Sequence, residues 1–593
     1  MRFRLYRLRL RRQLKKQRRQ VEDFGLQAEE NLERHFLERF DRLLLVRRFV
    51  IGWLLLFLLL LGCGLWQLVA LSSFYQAEQP VPGGVYSEGL LGSFTTANPL
   101  YATNDVDTTV SKLIFAGLFK YDNQNKLVGD LASSYSVDSK GLVYTVKLKP
   151  NLTWQDGTPL TSADVVFTYD AIQNPDARSV LENSWQGINV SAPDPLTVLF
   201  RLPNPLASFP YNLTNGILPK HLLSGIPMVD LRSADFNTNH PIGAGPFEWA
   251  AFQVSGSDPT NAQEQVALKP FNKYHGSAPK LQEFIVHSFA SKDQLIQAFA
   301  GNQLTAISGI NSYPSRFSKD KSINIHQPLL TAATMVFFKT SSGLLGDQSV
   351  RRALVQAAQP AKIIAQLGYN TRPVREPLLE GQLAYDPTYA QAGYNLKAAQ
   401  SILDQDGWKI GKNSIRYKNG QPLAFSLVAP NTLEYQMVTK ELTEQWRLLG
   451  LKLLVRLEAN QDFSSTLASH DYDAVLYGIS IGVDPDVFVY WDSSQANILA
   501  PNRLNLSEYK STEADSSLEA GRTRLDPALR VIKYKPFLQA WQTDSPALGL
   551  YQPRYLYLTH GTVYGLTDHS LNTPTDRFNN VENWMIRSAK VTD

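Results

Sequence analysis

The longest uncharged apolar run in the chain extends from Phe49 to Leu71, 23 residues preceded by Arg47 and Arg48. As a helix rising about 1.5 Å per residue it would reach roughly 34 Å, enough to cross the hydrocarbon core of a bilayer. The pattern predicts a transmembrane helix. Upstream, Leu32, Phe36, Phe40 and Leu44 recur every fourth residue. That is a helical stripe, which either runs straight into the span or packs on a neighbouring membrane subunit.

Beyond the span the period changes from segment to segment. Leu142, Tyr144, Val146 and Leu148 alternate with Val143, Thr145, Lys147 and Lys149, the period of a strand with one buried face. Thr161 then caps a helix, with Asp164 in the capping-box position and Val165, Val166, Tyr169 and Ile172 as the apolar face. Further on, Leu423 to Val428 reads as a strand and Thr432 to Leu449 as a helix with Met437, Leu442, Trp446 and Leu449 inward. Gly450 stops that helix, and Leu451 to Leu457 forms the next strand. A strand-helix-strand unit of this kind belongs to an α/β domain rather than a β-sandwich.

Charge orients the span. Residues 1–48 hold fifteen Lys or Arg against seven Asp or Glu, whereas the dozen residues after the span hold one Glu and no Lys or Arg. By the positive-inside rule the N-terminus is cytoplasmic. Its opening, MRFRLYRLRLRRQLKKQRR, suits the anionic inner leaflet or serves as a retention charge. Taking this segment's +8 from the net +4 leaves about −4 for the rest, so the basic balance belongs to the tail and gives no support for nucleic-acid binding.

A linker over residues 72–82 leads to about 510 residues without low-complexity segments or repeats, long enough to bury a large core. The single cysteine, Cys63, lies in the span, so the ectodomain has no disulfide, thiolate metal site or cysteine nucleophile. Leu60-Leu61-Gly62-Cys63 resembles a bacterial lipobox and makes Cys63 a candidate lipidation site. Two features favour a retained span instead: the 48 residues that precede it, and the apolar run that continues past Cys63 to Leu71. The nine histidines show no HExxH pairing, and no glycine-rich loop ends in Gly-Lys-Ser or Gly-Lys-Thr. Nothing calls for a metal or cofactor, and the chain reads as a non-enzyme.

The same segments carry a family likeness. In order along the chain stand Asn98-Pro99-Leu100, Lys112 to Leu118, Asp130 to Tyr135, Gly141 to Lys149, Trp154 to Phe167, Ile217 to Leu223 and Ile242 to Phe247. Asp347 with Val350-Arg351-Arg352-Ala353-Leu354, Tyr394-Asn395, Tyr472-Asp473, Asp484-Pro485 and Phe578 to Trp584 follow. Across residues 83–593 this resembles the family 5 extracellular solute-binding proteins, the oligopeptide- and dipeptide-binding subunits of ABC importers. The resemblance implies a two-lobed periplasmic-binding-protein-like clamp with an extra domain, preceded here by one transmembrane helix. Lobe I would comprise residues 83–102, 236–338 and 546–593, the extra domain residues 103–235, and lobe II residues 339–545. A ligand would be enclosed by hinge closure.

In peptide-binding relatives the stretch corresponding to Tyr477–Asp486 pairs its backbone with an extended peptide, and a nearby aspartate holds the peptide's ammonium. Candidate ligand contacts are therefore Tyr477, Ile479, Ser480, Ile481, Gly482, Asp484 and Asp486. Counted from Gly478, the anchoring aspartate would fall at Ile481 or Gly482, and neither is acidic. Asp486 is the substitute, Asp484 belonging to an Asp-Pro turn. Lys339, where the family often has Asn, is a candidate for a ligand carboxylate. Gly243, Gly245 and Pro246 read as a tight turn with positive φ as the reason for glycine, Arg351 as a helix or lobe contact, and Pro360 as a helix start.

The likeness implies a membrane-tethered, extracytoplasmic subunit that captures peptides and hands them to permease subunits driven by ATPases. The alternatives are the same fold with a non-peptide solute, or a non-transporting ligand sensor or adaptor that uses the long cytoplasmic tail. A retained span predicts that residues 1–62 stay joined to the ectodomain, with Cys63 unmodified. Cleavage and acylation at Cys63 would remove the first 62 residues, and mass spectrometry of detergent-extracted protein distinguishes the two.

Overall fold

The computed structural model describes residues 47–74, 76–255, 263–497, 499–500 and 503–592. The basic tail and the stripe of Leu32, Phe36, Phe40 and Leu44 lie outside the described residues. The chain forms two units, Met1–Gln79 with Ser588–Asp593, and Pro80–Arg587. In the first, the helix Arg47–Phe74 contains the whole predicted span, and its segment Arg48–Gln67 has a mean hydropathy of 2.5 with none of it buried. Its leucines, from Leu54 to Leu65, are exposed, so nothing among the described residues shields this apolar surface.

The second unit is built on three main sheets. The largest has seven strands in the order Ile323–His326, Tyr557–His560, Ala306–Ile307, Val85–Leu91, Glu283–Phe289, Gln263–Pro270 and Phe247–Ser255. Val85–Leu91 runs parallel to both of its neighbours, and the outer pairs are antiparallel. A five-stranded sheet follows the order Lys452–Glu458, Ala424–Pro430, Ala474–Ser480, Ala332–Phe338 and Ala547–Tyr551. A four-stranded antiparallel sheet joins Ala132–Val137, Val143–Leu148, Thr197–Arg201 and Asn189–Asp194.

The local expectations hold where the periodicity is strong. Tyr144, Val146 and Leu148 are buried on one face of their strand. The helix Ser162–Gln173 starts at Thr161, whose N–H donates to the Asp164 carboxylate at 2.8 Å, and it buries Val165, Tyr169 and Ile172. Ala424–Pro430 and Lys452–Glu458 pair in parallel through the crossover helix Leu433–Arg447, which buries Val438, Leu442 and Trp446. Pro360 opens the helix Pro360–Gln366. The buried Arg351 guanidinium donates to the carbonyls of Leu345, Gly346 and Asp544, which makes it a fastening between segments.

Two expectations change. Gly243 and Gly245 do not have positive φ. Their reason for being glycine is close packing, since an added Cβ would lie 2.0 Å from the Ile114 carbonyl oxygen at Gly243 and 2.6 Å from the Ile114 carbonyl carbon at Gly245. The strands Ala332–Phe338 and Ala547–Tyr551, grouped with the first lobe on sequence, hydrogen-bond into the five-stranded sheet. The run Ala332–Phe338, apolar but for Thr334, is buried on both faces as an inner strand of that sheet. Chain therefore crosses between the two large sheets at residues 327–331 and 552–556, where Leu329 and Arg554 form an antiparallel bridge.

A charged pair is enclosed in the core beneath the seven-stranded sheet. Arg577 Nη2 donates to Glu88 Oε1 at 2.5 Å, both side chains being almost wholly buried. Ser308 Oγ donates to the same carboxylate at 2.7 Å and Tyr557 Oη at 3.2 Å, while the guanidinium lies 4.0 Å from the Phe578 ring centroid. Removing one partner leaves the other charge buried and unpaired, at a cost of about 3–5 kcal/mol. Arg577→Met should therefore lower unfolding stability by about that amount, read as a shift in denaturant midpoint, and Glu88→Gln added to it should recover part of the loss.

Candidate functional site

The central strand Ala474–Ser480 organises the site. It pairs with Ala332–Phe338 along its whole length, but with Ala424–Pro430 only through Leu427–Ala474 and Val428–Val475. From Leu476 onward that second edge has no strand partner among the described residues. Where the ladder ends, the N–H groups of Ile481 and Gly482 both donate to the Thr331 carbonyl at 3.0 Å. Residues 481, 479 and 477 thus turn their backbone groups toward Ala332–Phe338, and strand alternation directs those of Gly478 and Ser480 to the open edge. Tyr490 Oη donates to the Ser480 carbonyl at 2.6 Å, which leaves the Gly478 groups and the Ser480 N–H facing that edge.

After the strand the chain turns sharply. Gly482 takes φ +78°, a left-handed conformation that glycine adopts without strain. Its carbonyl accepts from Gln382 Nε2 at 2.8 Å, and Gln382 Oε1 in turn accepts from the Leu379 N–H at 2.6 Å, so one amide braces the turn against the 379–382 loop. Asp484 accepts two hydrogen bonds from Arg530, at 2.8 and 2.6 Å, and one from the Asp486 N–H at 3.0 Å. Asp486 pairs with Arg522 at 3.2 Å and accepts from Ser208 Oγ at 2.9 Å. Both acids are thereby neutralised by arginines of helices Thr512–Arg522 and Pro527–Asp544.

Four of the sequence candidates, Ile481, Gly482, Asp484 and Asp486, line one cavity of about 500 Å³. Gly482 and Asp484 also border a neighbouring cavity of about 620 Å³, and Asp484 a third of about 470 Å³. Tyr477, Ile479 and Ser480 lie on the strand that leads to them. The Ile479 and Ile481 side chains are buried in the core, and Tyr477 packs against Phe463 with centroids 5.3 Å apart.

Lys339 is not brought to this place. Ala332 pairs with Ser480 and Phe338 with Ala474, so Lys339 stands at the opposite end of the ladder, roughly 23 Å away at about 3.3 Å per residue. Its ammonium donates to the His470 carbonyl at 2.9 Å. The cations that do border the 620 Å³ cavity without an ion-pair partner among the described residues are Arg372 and Lys126. Sequence gave no signal for them, or for Tyr211 and Ser208, because each reaches the cavities from a segment with no chemical motif.

Gly478-Ile479-Ser480-Ile481-Gly482 has the letter spacing of a nucleophile elbow. The geometry differs: Ser480 is a strand residue paired with Ala332, the next helix begins only at Phe488, and no described side chain bonds the Ser480 hydroxyl. An elbow instead sets its serine on a strand-to-helix turn beside a histidine.

Under the 379–382 loop, Glu376 is fully buried and accepts a single hydrogen bond, from the Asp386 N–H at 3.2 Å. Burial, with the nearby Asp386 charge adding to it, pushes its carboxyl up to about 8. The folded protein then holds a proton that the unfolded chain releases between about pH 4.5 and 8, so stability falls as pH rises through that window. Unfolding followed from pH 6 to pH 9 should show this loss in the native protein, and Glu376→Gln should flatten it.

The model of the bacterial extracellular solute-binding proteins, family 5 middle region, matches residues 126–499. Oligopeptide-binding protein AppA of Bacillus subtilis is 24% identical over 523 residues, covering 86% of this chain and 93% of AppA. Its solved structure, in complex with a nonapeptide, superposes with a TM-score of 0.68 over 86% of this chain and all of AppA. The crystal structure of NikZ from Campylobacter jejuni, in complex with Ni(L-His), gives a TM-score of 0.71 at 24% identity, covering 85% of this chain and 99% of NikZ. These likenesses show the fold.

Proposed function

The chain belongs to the family 5 bacterial extracellular solute-binding proteins, and from that premise we propose that it captures peptides outside the cytoplasm and delivers them to the permease subunits of an ABC importer. The observation that carries the peptide reading is the open edge of Ala474–Ser480, where Gly478 and Ser480 present unpaired backbone groups beside the cavity-lining turn. An extended peptide can add to such an edge as a further strand, and main-chain pairing accepts any side-chain sequence. AppA, with its bound nonapeptide, has this fold.

In this reading the seven-stranded and five-stranded sheets are the cores of the two lobes. The crossings at residues 327–331 and 552–556 are the hinge, and the segment 103–235 with its four-stranded sheet is the insert. Ile481, Gly482 and Asp486 contact the ligand, and Asp484 holds the turn. The helix Arg47–Phe74 anchors the protein as a single span with its N-terminus cytoplasmic, which keeps the binding domain at high local concentration near its permease. No bond of the ligand is made or broken.

One observation favours a second reading, a non-peptide solute. Asp484 and Asp486 each have an arginine as counter-ion, so neither presents an unpaired negative charge to an ammonium group, although Asp486 Oδ1 has no hydrogen-bond partner among the described residues. NikZ, a relative in fold, was solved with Ni(L-His).

Native mass spectrometry of the purified full chain separates the readings, a ladder of peptide masses supporting the first and a single non-peptide mass the second. For peptides, acetylating the amino terminus should change Kd by less than about threefold. A charge-assisted anchor worth about 1.5–3 kcal/mol would instead cost roughly 10- to 100-fold on acetylation, and that result would restore an ammonium-binding carboxylate.

A further inference from the structure

Three cavities meet around the Gly482–Asp486 turn, and among the described residues only Tyr211, Val483 and Asp484 border all of them. Asp484 is committed to Arg530 through two hydrogen bonds, and Val483 offers only a small apolar surface. Tyr211 comes from the other wall. It sits in the short helix Phe209–Thr214, which is fixed by the fully buried Phe209 in a cluster with Tyr144, Trp185 and Phe200. Its ring lies nearly parallel to that of Tyr121, with centroids 6.4 Å apart and planes 18° apart, and Tyr121 borders the same 500 Å³ cavity. The hydroxyl of Tyr211 has no hydrogen-bond partner among the described residues. What the side chain offers the cavities is the flat surface of a rigidly mounted ring.

We infer that Tyr211, backed by Tyr121, is a ligand-contacting and specificity-determining residue: a solute reaching from one cavity to the next lies against this ring, which selects for a planar or aromatic group at that point. The inference rests on the peptide-capture reading for the identity of the solute, not for the position of the ring. Its physical basis is the preference of aromatic pairs for offset stacking or edge contact, which adds roughly 2- to 12-fold to an equilibrium constant beyond simple burial. A cleft that reads its ligand mainly through the backbone has little other means of ranking side chains. One aromatic shelf at a fixed distance along the bound chain provides a single preferred position.

The test uses the full chain in lipid nanodiscs, loaded from a tryptic digest of casein, washed, and eluted with acid for peptide sequencing by mass spectrometry. Native protein should return peptides enriched about 2- to 12-fold in Phe, Tyr or Trp at one fixed distance from a terminus. Tyr211→Phe should keep that enrichment, and Tyr211→Leu, which retains apolar area without the ring, should return the composition of the digest. Thermal unfolding midpoints matching the native protein show that the variants are folded. Equal enrichment in native protein and Tyr211→Leu, or none in native protein, overturns the inference. If native protein retains no peptide but keeps a co-purified non-peptide solute, the peptide reading fails alone. The solute then serves as the probe: its loss from Tyr211→Leu supports the ring's role, and undiminished retention overturns it.

Discussion

The carbonyl of Thr331 is the point on which the site depends. It accepts the N–H groups of Ile481 and Gly482 together, while the Thr331 N–H donates to the Leu571 carbonyl at 2.8 Å and its hydroxyl to Asn572 at 2.7 Å. One residue therefore ends the ladder between Ala332–Phe338 and Ala474–Ser480, starts the crossing toward the seven-stranded sheet, and fixes the turn that lines the cavities. A buried backbone group must find a partner, and the double acceptance at Thr331 satisfies two donors just where the strand stops. The open edge at Gly478 and Ser480 has the same origin. The neighbouring strand ends at Pro430, and its chain departs into the helix that begins at Leu433, so no strand among the described residues occupies that edge.

The electrostatics of the turn follow from burial. A carboxylate in a partly enclosed cleft is stable as an ion only with a partner, and Asp484 and Asp486 have theirs in Arg530 and Arg522. Pairing makes the turn rigid and leaves it without a free negative charge. The remaining cations, Arg372 and Lys126, border the cavity from segments 246 residues apart, so the site's charge preference arises from the assembly of distant chain. Backbone recognition at the open edge and side-chain ranking by aromatic surface, as proposed, would act beside that charge preference.

How much of this was legible in the sequence depended on range. The helix Ser162–Gln173 and the unit Ala424–Glu458 were read closely because their caps, apolar faces and stop signals are local. The turn residues Ile481 to Asp486 were placed at a cavity by family likeness. Their partners were not foreseen: Arg530 lies 46 residues from Asp484 and Ser208 lies 278 from Asp486, separations that carry no spacing signal. Lys339 reads on sequence as a ligand contact but stands one strand length from the turn, a distance that residue identity does not reveal. Gly243 and Gly245 were assigned a torsional role because glycine in a turn suggests one, whereas the packing of Ile114 against them is a tertiary fact. Likewise, Ala332–Phe338 reads as a buried strand without saying which sheet it joins.

The segment 103–235 meets the five-stranded half of the molecule through two hydrogen bonds that lie beside two unsatisfied polar groups. Ala207 N–H donates to the Arg522 carbonyl at 2.9 Å and Ser208 Oγ to Asp486 at 2.9 Å, bonds worth about 0.5–1.5 kcal/mol each. Against them, Asp486 Oδ1 and Arg522 Nε are buried with no hydrogen-bond partner among the described residues. A buried polar group left unsatisfied costs about 1–3 kcal/mol, so what meets these two atoms matters as much to the contact as the two hydrogen bonds do. Both residues line the 500 Å³ cavity. A solute that offers a donor to one and an acceptor to the other, as a peptide unit does, strengthens the contact by as much as the orphaned groups would weaken it. Since a ligand shifts a conformational equilibrium only by its differential affinity for the two states, partners for these two atoms are one way in which the proposed solute would favour the state where the two segments meet.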